Sequence, residues 1–311
     1  MSSSTNERLG TNLDVALAVL HSGGIIGLPT ETVYGLGADA HNDAAVAAIF
    51  RVKGRPVDHP LIVHLPDTAA ARDWAKDWPA SAEALAQHFW PGPLTLIVTK
   101  ATSAPDSVTG GRSTVALRVP QHPLTLRLLR DFPGGIAAPS ANRFGRVSPT
   151  TAQHVLADLG DDVDYVLDGG PCDVGVESTI VDCSVSPPQI LRFGAISIEQ
   201  IESVIGSVAE TSGPSRAPGM MESHYAPRCR VHAVLSLDEA ESKARQSTMS
   251  TRILDGSLDS LQFAHDLYAL LRLCDDDGIE DVFVVLPIDN DIGPAIRDRI
   301  LKAAADHEQR D

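Results

Sequence analysis

The sequence predicts an α/β protein: a mixed, twisted sheet in a large first region, then a small parallel α/β unit. Three observations carry this. Up to about residue 205, short β-branched runs outnumber the helical patterns, which favours a mixed sheet. Residues 207–229, SVAETSGPSRAPGMMESHYAPRC, shift to a Ser-, Gly- and Pro-rich linker composition. Beyond them strands and helices alternate, the pattern of a parallel sheet.

The elements follow in order. Residues 1–11 are polar and are expected to be a disordered N-terminus. Residues 12–22 read as a helix stopped by Gly23 and Gly24, and "IIGLP" as a buried strand running into the loop "TETVYGLG". Asn42 has the chemistry of an N-cap for a helix reaching about Val52. "PLIVHL" reads as a strand, and helical patterns near 68–76 and 79–89 end at the turn "WPGP". Strands at "LTLIVTK" and "STVALRVP", a helix near 122–131, a strand at "GIAAPSA" and a helix near 150–159 come next. "DYVLDGG", "ESTIVDC" and "QILRFG" are strands, and a helix over about 198–205 closes residues 12–206 as one domain. In residues 230–311 "RVHAVL", "TRIL" and "DVFVVLP" are strands, with helices near 237–245, 257–275 and 291–304.

A chain of 311 residues with 43% hydrophobic content can bury two cores without covalent staples. No apolar run approaches the roughly 18 residues that a bilayer span requires. The polar start, MSSSTNERLG, lacks a signal-peptide core, so a cytoplasmic location is expected. Cys172, Cys183, Cys229 and Cys274 are far apart in sequence, which argues for buried thiols over a zinc ribbon or redox pair. A formal net charge of −16 weighs against broad nucleic-acid binding, which needs cations to neutralise phosphates.

Against that acidic background, "KGRPVDHPLIVHL" (53–65) gathers Lys53, Arg55, His59 and His64. Lys and Arg two apart can reach one polyphosphate, the Arg as a fork. A solvated basic turn at a helix C-terminus reads equally well from this stretch alone. "PTETVYGLG" (29–37) places hydroxyls beside glycines at a strand end, which suits a small polar ligand or simply a hydroxyl-satisfied turn. "APSANRFGRVSPT" (138–150) offers small residues and exposed amides able to hold phosphate, or a polar connection capped by Ser148 or Thr150. "GGPCDVGVESTIVD" (169–182) repeats the device with Ser178 and Thr179. Arg118 and Arg192 interrupt apolar strands. Either alone reads as a snorkelling residue. With Lys53 and Arg55 they point to an anion pocket.

In this order, "PTETVYGLG", "KGRPVDHPLIVHL", "PGPLTL", "VALRVP", "APSAN", "VSPT" and "GVESTIVD" resemble the successive motifs of the YrdC-like threonylcarbamoyl-AMP synthases. "APGMMESHYAP" (217–227) resembles the linker of that family's two-domain form, whose second domain is Rossmann-like. The resemblance implies an enzyme that condenses L-threonine, bicarbonate or CO2 and ATP into threonylcarbamoyl-AMP and pyrophosphate. A separate transferase complex then uses the product to modify tRNA. It also implies roles. Lys53, Arg55 and His59 attend the phosphates; Thr114, Ser140, Asn142, Ser148 and Arg192 fall on the nucleotide side; Thr32, His64, Arg118, Ala138 and Ser178 hold threonine. Tyr225, with Met220, Met221 and His224, is expected to fold the linker over the site as a lid. Lys53, Arg55 and His64 are the expected catalytic residues, with Mg²⁺ carried on the phosphates and few or no protein ligands to it.

Two other classes compete. An RNA-binding maturation factor with a YrdC-like domain is disfavoured by the acidity, which leaves room for weak tRNA binding at most. A carbamoyl-transferring maturation enzyme with zinc-finger segments would need a cysteine cluster that this sequence lacks.

Overall fold

The structure is a computed structural model that describes residues 8–209 and 225–308. The expected contacts of Met220, Met221 and His224 lie outside the described residues.

The first region runs β1 (Leu9–Gly10), α1 (Leu13–His21), β2 (Ile26–Leu28), β3 (Gly35–Asp39), α2 (Asp43–Lys53), β4 (Ile62–His64), α3 (Thr68–Asp73) and α4 (Ala80–Phe89). It continues through β5 (Leu94–Thr99), α5 (Asp106–Thr109), β6 (Thr114–Arg118), α6 (Pro123–Asp131), β7 (Ile136–Ala137) and α7 (Ala152–Leu159). β8 (Tyr165–Leu167), β9 (Thr179–Asp182), β10 (Gln189–Arg192) and α8 (Ile198–Ile205) complete it. The second region holds β11 (Arg230–Val234), α9 (Leu237–Gln246), β12 (Thr251–Asp255), α10 (Ser260–Asp276), β13 (Asp281–Val285) and α11 (Gly293–Glu308).

The first region's strands form one ten-stranded sheet, ordered β1-β8-β2-β3-β7-β4-β6-β5-β9-β10. It is mixed as expected: β4 pairs β6 in parallel, whereas β5 pairs β6 antiparallel. The second region's sheet, β11-β13-β12, is parallel throughout.

The helix boundaries have local causes. Asn42 accepts from the Ala44 and Ala45 amides, and α2 ends at Gly54 in the left-handed region (φ 66°), where a residue without Cβ is unstrained. That stop delivers Lys53 and Arg55 to the sheet. Two expectations need correction. Leu9–Gly10, expected to be disordered, pairs in parallel with β8. The glycine-rich end of "TETVYGLG", read as loop, is β3. Gly37 belongs there because an added Cβ would sit 2.9 Å from Ile136, in the neighbouring strand β7.

Two cores result. The larger lies within the first region. The second is shared: Val33, Val147 and Val176 from the first region pack with Tyr225, Phe263, Leu267, Tyr268, Ile296 and Ile300. The second unit is therefore docked through buried apolar contact.

Candidate active site

Strand ends and the loops between them enclose one cavity. Its lining includes Thr30, Thr32 and Gly35 from the β2–β3 connection, and Arg55, Ile62 and His64 from the α2–β4 segment. Arg118, Ala138, Pro139, Ser140, Glu177, Ser178, Arg192 and Tyr225 complete the charged and polar wall. Of the residues singled out from sequence, Thr32, Arg55, His64, Arg118, Ala138, Ser140, Ser178, Arg192 and Tyr225 meet here. Register explains part of this, since His64 pairs with Arg118 across β4 and β6 and the two sit side by side.

The charges are arranged unequally. Arg118, 4% exposed, donates from one terminal nitrogen to Glu31 Oε1 at 2.8 Å, while its Nε is buried with no partner. Arg55 donates to the Pro60 carbonyl at 3.1 Å, and its Nε is also buried and unpartnered. Burial lowers the Arg55 guanidinium to a pKa of about 10, so it stays cationic at neutral pH. Arg192 donates through Nε to the Ser178 carbonyl and through a terminal nitrogen to Ser178 Oγ, both at 3.0 Å. A buried guanidinium nitrogen left without an acceptor is costly. Two of them at one cavity call for an anionic guest.

His64 is a different kind of group. Burial, then the neighbouring Arg118, push its pKa down to about 3, so it is neutral at physiological pH. Its Nδ1 is buried without a partner. A group so reluctant to bind a proton suits hydrogen bonding and not proton abstraction at pH 7.

The other expected residues surround the cavity without lining it. Lys53, expected on the phosphates, has its ammonium 2.5 Å from the carbonyls of both Ser140 and Asn142. Burial, then Arg55, lower its pKa well below the ordinary lysine value. The cause is its place as the last residue of α2, beneath the 140–146 loop. The Phe144 amide also bonds to the Lys53 carbonyl at 2.8 Å, and Arg143 bonds to the Val52 carbonyl. Lys53 thus fixes the loop that carries Ser140. Asn142 spends its amide donors on the Arg143 and Arg146 carbonyls, at 2.8 and 2.7 Å. Ser148 donates to Glu177 Oε1 at 2.6 Å. His59 lies with its ring 5.8 Å from that of Phe144. Thr114 is at the start of β6, two residues before Ala116, which pairs with cavity-lining Ile62.

Sequence reasoning missed both carboxylates. Glu31 sits inside a motif read for its hydroxyls, and Glu177 immediately precedes Ser178. Glu177 accepts from Ser148, from the Tyr268 hydroxyl at 2.9 Å and from Arg299 Nε at 3.1 Å. Burial acts to raise its carboxyl, but Arg299 and then Arg192 outweigh it, and the pKa falls to about 2. Thr30 was also missed; its hydroxyl lies 2.9 Å from that of Thr32 and bonds to the Val33 carbonyl at 2.6 Å.

A buried cavity with several arginines, on a mixed sheet and backed by a docked parallel α/β unit, defines a protein that binds small anionic ligands. Residues 18–194 match the Sua5/YciO/YrdC family, described as telomere recombination, and residues 196–305 match the family described as the threonylcarbamoyl-AMP synthase C-terminal domain. The chain belongs to this two-domain family. It is 36% identical to the threonylcarbamoyl-AMP synthase of Pyrococcus abyssi over 93% of each chain. It is 38% identical to that of Bacillus subtilis, covering 96% of this chain and 95% of the other. The crystal structure of P. abyssi Sua5 complexed with L-threonine superposes with a TM-score of 0.89 at 36% identity, covering 94% of both chains.

Proposed function

We propose that this chain is a threonylcarbamoyl-AMP synthase that condenses L-threonine, bicarbonate or CO2 and ATP, releasing pyrophosphate, and water when bicarbonate supplies the carbon. The observation that carries the reading is the pair of unpartnered guanidinium nitrogens, on Arg118 and Arg55, at one cavity. One matches a carboxylate and the other a polyphosphate. The similarity to a relative that binds L-threonine supports the same assignment.

In this reading Arg118 holds the threonine carboxylate, with Thr32, Ala138 and Ser178 around the rest of the amino acid. Neutral His64 orients the carbamate formed from the threonine amine and bicarbonate. Arg55, with Ser140 and Arg192, draws charge from the phosphates while the carbamate oxygen attacks the α-phosphorus and pyrophosphate leaves. Positioning and charge stabilisation supply the rate, and no covalent nucleophile is needed. Tyr225 walls the cavity where the linker meets it and keeps water from the mixed anhydride.

Mg²⁺ belongs on the nucleotide phosphates. Glu31 and Glu177 are each engaged by an arginine, and no group of three potential metal ligands occurs among the described residues. No helix among the described residues is long and apolar enough to cross a membrane. A cytoplasmic enzyme handing its product to a tRNA-modifying transferase, itself binding tRNA weakly at most, completes the proposal. Pyrophosphate release measured with each substrate omitted in turn tests it: release should require threonine and bicarbonate together. ATP hydrolysis to ADP that is indifferent to threonine would overturn it.

A further inference from the structure

The described residues of the second unit supply no side chain to the cavity lining, yet two of them grip a carboxylate that does line it. Arg299 of α11 is 1% exposed, and Tyr268 of α10 is fully buried. Both bond to Glu177, which also accepts from Ser148. Arg299 is held in turn by Asp298, at 2.9 Å, and its guanidinium lies 5.3 Å over the Tyr225 ring. The loop bearing Glu177 is pressed against α10: a Cβ on Gly175 would sit 2.4 Å from the Ala264 carbonyl oxygen. The charged and titratable groups facing Glu177 are therefore Arg299, Tyr268 and Tyr225 from one side, and Arg192 from β10 on the other. The next cation to act on Glu177 after Arg299 is Arg192, a cavity wall.

We infer that Arg299, with Tyr268, is a positioning residue that binds the Glu177 carboxylate and so keeps it from neutralising Arg192, setting the anion affinity of the cavity from the second unit. Released from Arg299, the carboxylate has Arg192 as the next cation acting on it among the described residues. A guanidinium drawn to Glu177 is lost to an anionic ligand of the cavity. The inference rests on the reading above only in naming ATP as that anion and threonine as the ligand left unaffected.

The test compares Arg299→Met, Arg299→Lys, Tyr268→Phe and the double variant Glu177→Gln/Arg299→Met with the full-length wild type. KM for ATP and for threonine, ATP affinity by calorimetry, and the pH dependence of both are measured. Arg299→Met should raise the ATP KM and dissociation constant about ten-fold or more, with threonine KM within about three-fold. Arg299→Lys should recover part of the loss, Tyr268→Phe should show a smaller one, and the double variant should return close to wild type. The defect of Arg299→Met should also shrink as pH falls. Burial without Arg299 raises the Glu177 carboxyl, and once protonated it no longer competes for Arg192. Damage to packing alone would not heal on acidification.

Unchanged ATP affinity in Arg299→Met overturns the inference, as does a loss that affects ATP and threonine equally and persists in the double variant. If Arg299→Met does not fold, the double variant decides, since it buries no unpaired charge there: near-normal ATP affinity supports the inference and weakened affinity overturns it. A wild type that binds ATP but makes no threonylcarbamoyl-AMP refutes the functional reading, and calorimetry still decides the role of Arg299.

Discussion

Removing the Arg118 guanidinium has two effects that can be separated. Arg118 and Glu31 are a buried pair, each 4% exposed, joined at 2.8 Å. Arg118→Met strands the Glu31 carboxylate, which among the described residues keeps the Gln121 amide at 3.0 Å. Breaking one side of such a pair costs about 3–5 kcal/mol. At roughly 2–4 °C per kcal/mol for a domain of this size, melting should fall by about 6–20 °C. Independently, the threonine carboxylate loses a charged donor worth about 1.5–3 kcal/mol, or roughly ten- to a hundred-fold in affinity. Glu31→Gln/Arg118→Met should restore most of the stability, because no buried charge is left unpaired, and none of the threonine affinity. Thermal melts and threonine titrations of the three proteins make the separation. A double variant that regains both, or an Arg118→Met that binds threonine normally, refutes the assignment of Arg118 to the carboxylate.

Other expectations follow from the same geometry. Because His64 titrates near 3 when folded against an ordinary 6.5, the unfolded chain binds the extra proton, so stability falls as pH drops from about 6.5 towards 3. Its share of the loss by pH 5 is on the order of 2 kcal/mol, and His64→Asn should flatten the melting-versus-pH curve over that range, with His154, at about 4, leaving a residual slope. Glu177 acts at lower pH: the stability from its pairing is present above the ordinary carboxylate range and is lost as pH falls towards about 2. Lys53→Met should lower the melting temperature by freeing the Ser140–Asn142 loop and should weaken ATP binding less than Arg55→Ala; the reverse order would return Lys53 to the phosphates. Gly35→Ala puts a Cβ 3.0 Å from that of Ala138 inside the cavity wall, so threonine affinity should fall while the melting temperature changes by a few degrees at most.

Much of this was legible in the chain. Periodicity placed the main helices, and Asn42 accepts from the amides that its N-cap position predicted; Asn12 and the Ser197–Gln200 capping box are caps that were not read from the sequence. The parallel second sheet followed from strand–helix alternation. β1 escaped because two residues carry no periodicity, and β3 because glycines stand where it packs against β7. At the site, the residues that interrupt apolar strands, Arg118 and Arg192, stood out and do line the cavity. Lys53, expected on the phosphates, rests on the Ser140 and Asn142 carbonyls, 87 and 89 positions away, a contact that has no local signature in sequence.

The Glu177–Arg299 pair spans 122 positions, and such pairings have no local signature. One sign existed. Arg299 falls on the buried stripe of α11 with Ile296, Ile300 and Ala303, a core position where an arginine demands a buried carboxylate.

Joining three substrates into one anhydride is the reaction assigned to this cavity. Incubating the protein with ATP, L-threonine and ¹³C-bicarbonate, and reading the products promptly by mass spectrometry, tests it most directly. Threonylcarbamoyl-AMP should form, heavier by one mass unit than with unlabelled bicarbonate, and should vanish in Arg118→Met/Glu31→Gln. Nucleotide breakdown with no labelled adenylate would rule that reaction out.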